Sequence, residues 1–182
     1  MALREAIRWR SLEHGGLEQL RIYEWPEAYR IRSAVIGQVG EERHGVHYEM
    51  SVTPGWVFES ILLQRTDGVM SVLRRGSDEQ WFDMHAEDLP ELRGCTDIDF
   101  EMTPFTNTLP IRRAPLAIGE TRRFRMAYIP ADTLEPFATE QIYTRLGERL
   151  YRFETADGSF SADISVDENG FVTDYPGLFE RA

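Results

Sequence analysis

The sequence predicts a mainly β protein: a single large antiparallel sheet, curved into a roll or half-barrel, with few short helices. Three observations carry this. Apolar and polar residues alternate along several segments, Gly-containing turn dipeptides separate them, and no segment has the apolar stripe of a helix. Taken in order, Val46, Tyr48, Met50 and Val52 alternate with His47, Glu49, Ser51 and Thr53. Asp67-Gly68 then joins a strand over 56–66 to one over 69–75. Residues 88–92 suit one short helical turn, and 131–139 have no periodic apolar face. Phe124, Met126 and Tyr128 interleave with Arg123, Arg125 and Ala127. Asp157-Gly158 joins 150–155 to 159–166, and Asn169-Gly170 joins that strand to 171–175. Such dipeptides suit type I′ hairpin turns, and consecutive hairpins make a meander. Roughly ten or more strands in one sheet must curl to bury a face, and a roll of that size can enclose a ligand cavity. After 175, Pro176-Gly177 turns the chain, and Leu178 and Phe179 are expected to cap an open sheet end.

Composition bounds the chemistry. The 182 residues fit one domain spanning 1–182. The net charge of −11 disfavours nucleic acid and anionic membrane surfaces, both of which recruit cations. All 20 basic residues are Arg, so a Schiff-base lysine and a P-loop lysine are excluded. One cysteine, Cys95, cannot form an intrachain disulfide and suits a small buried hydrophobe. No apolar run approaches the ~18 residues of a spanning helix, and the first residues lack the apolar core of a signal peptide. These features point to a soluble cytoplasmic protein with no integral membrane segment. No metal or cofactor motif stands out. His44 and His47 fall on opposite faces of a strand, while His14 and His85 stand alone, which suits surface or loop histidines.

The most unusual stretch is 94–113, Gly-Cys-Thr-Asp-Ile-Asp-Phe-Glu-Met-Thr-Pro-Phe-Thr-Asn-Thr-Leu-Pro-Ile-Arg-Arg. On a strand, Cys95, Asp97 and Asp99 share one face, and Thr96, Ile98 and Phe100 the other. Pro104 and Pro110 then interrupt regular structure. Asp97 and Asp99 stand ~6.5–7 Å apart along such a strand, a spacing that permits paired-carboxylate hydrolysis. Ion pairing with Arg112 or Arg113 is the stronger expectation, because it holds aspartates ionised. The four tryptophans, seven tyrosines and ten phenylalanines suit a core, or the walls of an acyl or sugar site.

At these residues the chain resembles the bacterial family described as "putative glycolipid-binding". The resemblance runs through Gly94-Cys95, Asp97-Ile98-Asp99 and Thr103 to Arg113. It continues in Gln141 with Tyr143, in Asp167 to Gly170, and in Asp174 to Leu178. It reaches from Trp9 and Gly16-Leu17-Glu18 to the C-terminus. It implies a single domain on a rolled antiparallel sheet, like the half-barrel of bacterial lipoprotein carriers. The function expected is non-catalytic binding of an amphiphile such as a glycolipid. Aromatic residues would take the acyl part, and Asp97, Asp99, Asn107, Arg112 and Arg113 would meet the polar head. The alternatives are a hydrolase for a sugar or ester using Asp97 or Asp99, and a structural protein working through a partner surface.

Overall fold

A computed structural model describes residues 2–13, 15–39 and 42–182. His14 lies outside them. Fourteen strands form one curved sheet among the described residues. The first half is a meander: β1 (Ala2–Ser11), β2 (Leu17–Glu24), β3 (Tyr29–Val39), β4 (Glu42–Val52), β5 (Phe58–Arg65), β6 (Met70–Arg75) and β7 (Trp81–Phe82). The chain then crosses to the opposite edge and places β8 (Asp97–Phe100) there. From that edge β9 (Thr121–Ile129), β10 (Phe137–Gly147), β11 (Leu150–Thr155), β12 (Ser161–Val166), β13 (Val172–Tyr175) and β14 (Phe179–Arg181) walk back to β1. Trp9 pairs with Arg181, so the two ends of the chain meet inside the sheet.

The inner face follows from alternation. Ile7 and Trp9, Leu20 and Ile22, Ile31, Ser33 and Val35, and Tyr48 and Met50 are buried, and the residues between them turn outward. Each large apolar side chain removed from water contributes about 1.5–3 kcal/mol, which fixes the register of every strand. The sheet curls over a plug rather than over an empty trough. Every residue from Met102 to Ile111 is buried. This segment holds a 3₁₀ turn, Pro104–Asn107, and one short helix, α1 (Thr108–Arg113). Phe105 reaches Trp56 and Phe171, with ring centroids 6.4 Å away in each case. Phe100 meets Tyr48 edge-on at 6.0 Å, bringing the β8 edge against β4. The stretch between β7 and β8 is fastened by the Trp81 indole, which donates to the Cys95 carbonyl at 3.3 Å.

Four sequence expectations are corrected. The sheet has one parallel pair, β8 with β9. The chain enters β8 after crossing the molecule and runs through the plug and a following loop over residues 101–120 before β9, a connection long enough for parallel pairing. The hairpin turns are not type I′. In Asp67-Gly68, Asp157-Gly158 and Asn169-Gly170 only the glycine has positive φ. Gly68, Gly158 and Gly170 each donate three residues back, to Arg65, Thr155 and Asp167, as in a type I turn ending in a glycine bulge. Aspartate drives this choice: Asp67 accepts from the Val69 amide, Asp157 from Ser159, and Asp167 from both Asn169 and Phe171. Leu178 and Phe179 do not cap an open end, because Phe179 begins β14 between β13 and β1. His44 is buried, whereas His47 and His85 are exposed.

One glycine is required by packing. A Cβ on Gly16 would lie 2.0 Å from the Ile36 carbonyl oxygen, so only glycine lets β2 start against β3.

Candidate ligand cavity

β8 carries two aspartates on one face, and the fold gives them different partners. Asp97 is fully buried. Arg113, in the last turn of α1, clasps it through Nη2 at 2.6 Å and Nε at 3.1 Å. Thr96 Oγ1 adds a third donor at 3.1 Å. Arg113 also lies over the Phe124 ring, 5.5 Å from its centroid. The pair fastens the end of the plug to the edge strand.

Asp99 receives only neutral donors: Gln141 Nε2 at 2.6 Å and Thr106 Oγ1 at 3.1 Å. Burial raises its carboxyl above the usual aspartate value, and the nearby Glu101 raises it further. Gln141 stands on β10 in phase with Tyr143. The Tyr143 hydroxyl lies 3.5 Å from Gln141 Oε1 and accepts from Asn107 Nδ2 at 2.8 Å. A polar chain therefore runs Thr106, Asp99, Gln141, Tyr143, Asn107.

This chain borders a cavity of about 390 Å³. Asp99, Thr103, Asn107 and Gln141 contribute polar atoms to its lining. Phe153, Phe160, Tyr175 and Phe179 contribute rings. Phe153, Phe160 and Tyr175 form a triangle with centroids 5.9, 6.2 and 6.3 Å apart, and Tyr175 meets Phe179 at 6.3 Å. At the other side Tyr128 and Phe137 pack at 5.3 Å. Glu13 and Glu101 complete the charged lining, and no basic side chain is among the described lining residues.

Two of the five residues singled out for ligand contact, Asp99 and Asn107, line this cavity. Asp97 and Arg113 lie outside the lining, spent on each other. Arg112 lies elsewhere. Its guanidinium sits 4.2 Å from the Trp56 ring centroid and 5.7 Å from that of Phe171, and Nη1 donates to the Asn169 carbonyl at 2.5 Å. It borders a separate cleft of about 380 Å³ with Arg145, Arg149 and Asp167.

Glu18 is a buried acid that the sequence reading did not single out as a site. It accepts three hydroxyl bonds, from Thr103 at 2.6 Å, Ser33 at 2.6 Å and Tyr48 at 2.7 Å. Burial pushes its carboxyl up to about 7 against the lowering effect of these donors. Thr103 also caps the 3₁₀ turn by accepting from the Phe105 amide at 3.1 Å, and it lines the cavity. The signal was present: Glu18 is in phase with Leu20 and Ile22, the inward residues of β2. Cys95 is buried, and burial pushes its thiol up to about 11, as suits an inert apolar filler.

Fold and cavity together define a class: a rolled, mainly antiparallel sheet with an internal plug and a cavity beside the edge strand. The chain belongs to the family described as "Putative glycolipid-binding", whose family model matches residues 6–181. It is also similar to the crystal structure of a DUF1089 family protein from Pseudomonas aeruginosa. The two share 33% identity over 91% of this chain and 92% of that one, with a TM-score of 0.79. No curated protein matches. No helix among the described residues is long and apolar enough to cross a membrane.

Proposed function

We propose that the protein binds one amphiphilic small molecule, such as a glycolipid, in the cavity beside β8 and does no chemistry on it. The ring cluster of Phe153, Phe160, Tyr175 and Phe179 takes the apolar portion. Asp99, Asn107, Gln141 and Thr103 take the polar head. The observation that carries this reading is the meeting of a hydrogen-bonded polar chain and an aromatic wall in one space of about 390 Å³. That volume is in the range of small-ligand sites, which pair apolar walls with a few placed polar groups. Asp97, Arg112 and Arg113 hold the plug in place and shape the cavity indirectly.

The test is native mass spectrometry of protein purified from its own host, followed by thermal-shift screening against glycolipids, fatty acids and lysophospholipids. A co-purifying amphiphile is expected. At a hundredfold excess over its dissociation constant it stabilises the fold by about 2.7 kcal/mol. No adduct and no shift from any amphiphile would remove this reading.

A hydrolytic reading is favoured by one observation: Asp99 is raised and faces a cavity. Asp97 cannot serve as its partner, because Arg113 occupies both of its oxygens. The second acid would be Glu101 or Glu13. Turnover of nitrophenyl glycosides or esters that is lost in Asp99→Asn would establish this reading.

A further inference from the structure

We propose that the head group this cavity takes is a cation, an organic ammonium set against the Asp99 carboxylate at the edge of the aromatic cluster. The proposal rests on the ligand-binding reading above and names the charge of the head. The unequal treatment of two carboxylates on one strand motivates it. Asp97 receives an internal cation, Arg113, at 2.6 Å. Asp99, two residues on and on the same face, receives two neutral donors and has a second carboxylate, Glu101, as its charged neighbour. A carboxylate withdrawn from water without a cation is costly, and a cationic ligand supplies the missing partner.

The rest of the lining agrees with that sign. Glu13 and Glu101 also border the space, and no arginine or histidine does among its described residues. One oxygen of Glu101 accepts the Ala131 amide at 2.7 Å. A phosphate, sulfate or carboxylate head would meet Asp99 and Glu101, with no arginine or histidine among the described lining residues to offset them. Aromatic rings add a second attraction of the same sign, because their faces carry negative potential and ammonium groups dock against them. Tyr175 lies near enough to Asp99 to be affected by its charge and supplies such a ring beside the carboxylate, while Phe153, Phe160 and Phe179 keep the apolar portion. Asn107, Gln141 and Thr103 remain for hydroxyl groups on the same head. The chain's net charge of −11 reinforces the preference at long range.

The experiment is isothermal titration of the full chain with three octyl amphiphiles below their micelle concentrations: octyltrimethylammonium, octyl glucoside and octyl sulfate. The ammonium is expected to bind tightest, the glucoside more weakly, and the sulfate not at all. Asp99→Asn is expected to weaken the ammonium by about tenfold while leaving the glucoside nearly unchanged, since a charge pair rather than a shape is lost. Glu101→Gln should weaken the ammonium in the same selective way by a smaller factor, and it keeps an acceptor for the Ala131 amide. If the glucoside or the sulfate matches or exceeds the ammonium, the cation assignment is overturned and ligand binding survives. An equal loss of all three ligands in a folded Asp99→Asn also overturns it. No binding of any of the three overturns it too, and with no shift in the wider screen it removes the ligand reading as well. The ranking in the unmodified protein stands even if a variant fails to fold.

Discussion

The two aspartates of β8 carry the same side chain and meet opposite surroundings. At Asp97 a buried carboxylate is matched by Arg113, and the pair ties plug to sheet. At Asp99 the carboxylate is held by an amide and a hydroxyl and opens onto a cavity. The difference shows how one strand can carry one carboxylate matched inside the protein and another left beside a cavity. An aspartate whose charge is answered inside the protein has no capacity left for a ligand. One that is hydrogen-bonded but not neutralised keeps its charge available. Glu18 is a third case, answered by three hydroxyls and no cation, and its carboxyl is pushed up to about 7.

The largest expected effect tests the Asp97 end. Arg113→Met leaves a fully buried carboxylate without its cation, and should cost about 3–5 kcal/mol in denaturant titration. Asp97→Ala should cost less, because the Arg113 side chain is 21% exposed and can turn to water. Equal costs would mean that the pair is not the fastening described above.

Next comes Glu18. Its folded carboxyl binds a proton more tightly than the unfolded chain does, about 7 against 4.5. Its contribution is therefore fully present below about pH 4.5 and lost as pH rises through about 7, a change on the order of 3 kcal/mol. Glu18→Gln should flatten that part of the stability–pH curve. An unchanged curve would show that the hydroxyl donors keep Glu18 ionised.

Asp99→Asn should cost about 1 kcal/mol, because its partners are neutral: the amide oxygen can accept from Gln141 Nε2, and the amide NH2 can donate to the Thr106 hydroxyl. Its full effect should appear in ligand binding instead. A loss as large as that of Arg113→Met would erase the contrast between the two aspartates. The smallest effect concerns Cys95, next to β8. A buried thiol pushed up to about 11 should resist alkylation in the folded protein and react fully once unfolded. Rapid labelling in native buffer would show that the crossing between β7 and β8 opens.

Much of the fold was legible because alternation has a period of two and leaves its mark on the residues themselves. The strands around Tyr48 and Met126 could be read that way, and the turn dipeptides marked the hairpin positions at Gly68, Gly158 and Gly170. The turn class could not, since Asp-Gly and Asn-Gly occur both in two-residue turns and before a glycine bulge. The aspartate carboxylates accept downstream amides and favour the latter. The unusual 94–113 stretch announced itself as chemistry, and its density of Thr and Asn has a structural cause. A chain segment buried from Met102 to Ile111 must satisfy polar backbone away from water, and Thr103 and Thr106 accept from the Phe105 and Phe100 amides.

What the sequence by itself determined was a single curved β-sheet protein, the family to which the chain belongs, and the presence of two aspartates on one face. The tertiary structure alone decided which aspartate met an arginine. Residues 113 and 141 are 14 or more positions from the two aspartates, and pairing depends on where α1 and β10 bring Arg113 and Gln141 to β8. Arg113 reached Asp97, Arg112 turned to Trp56, and Asp99 was left with neutral donors at the edge of a cavity. The range of a charge pair is a few ångströms, so a shift of β8 by two residues would be needed to exchange those roles, and a shift of one would turn both aspartates to the opposite face.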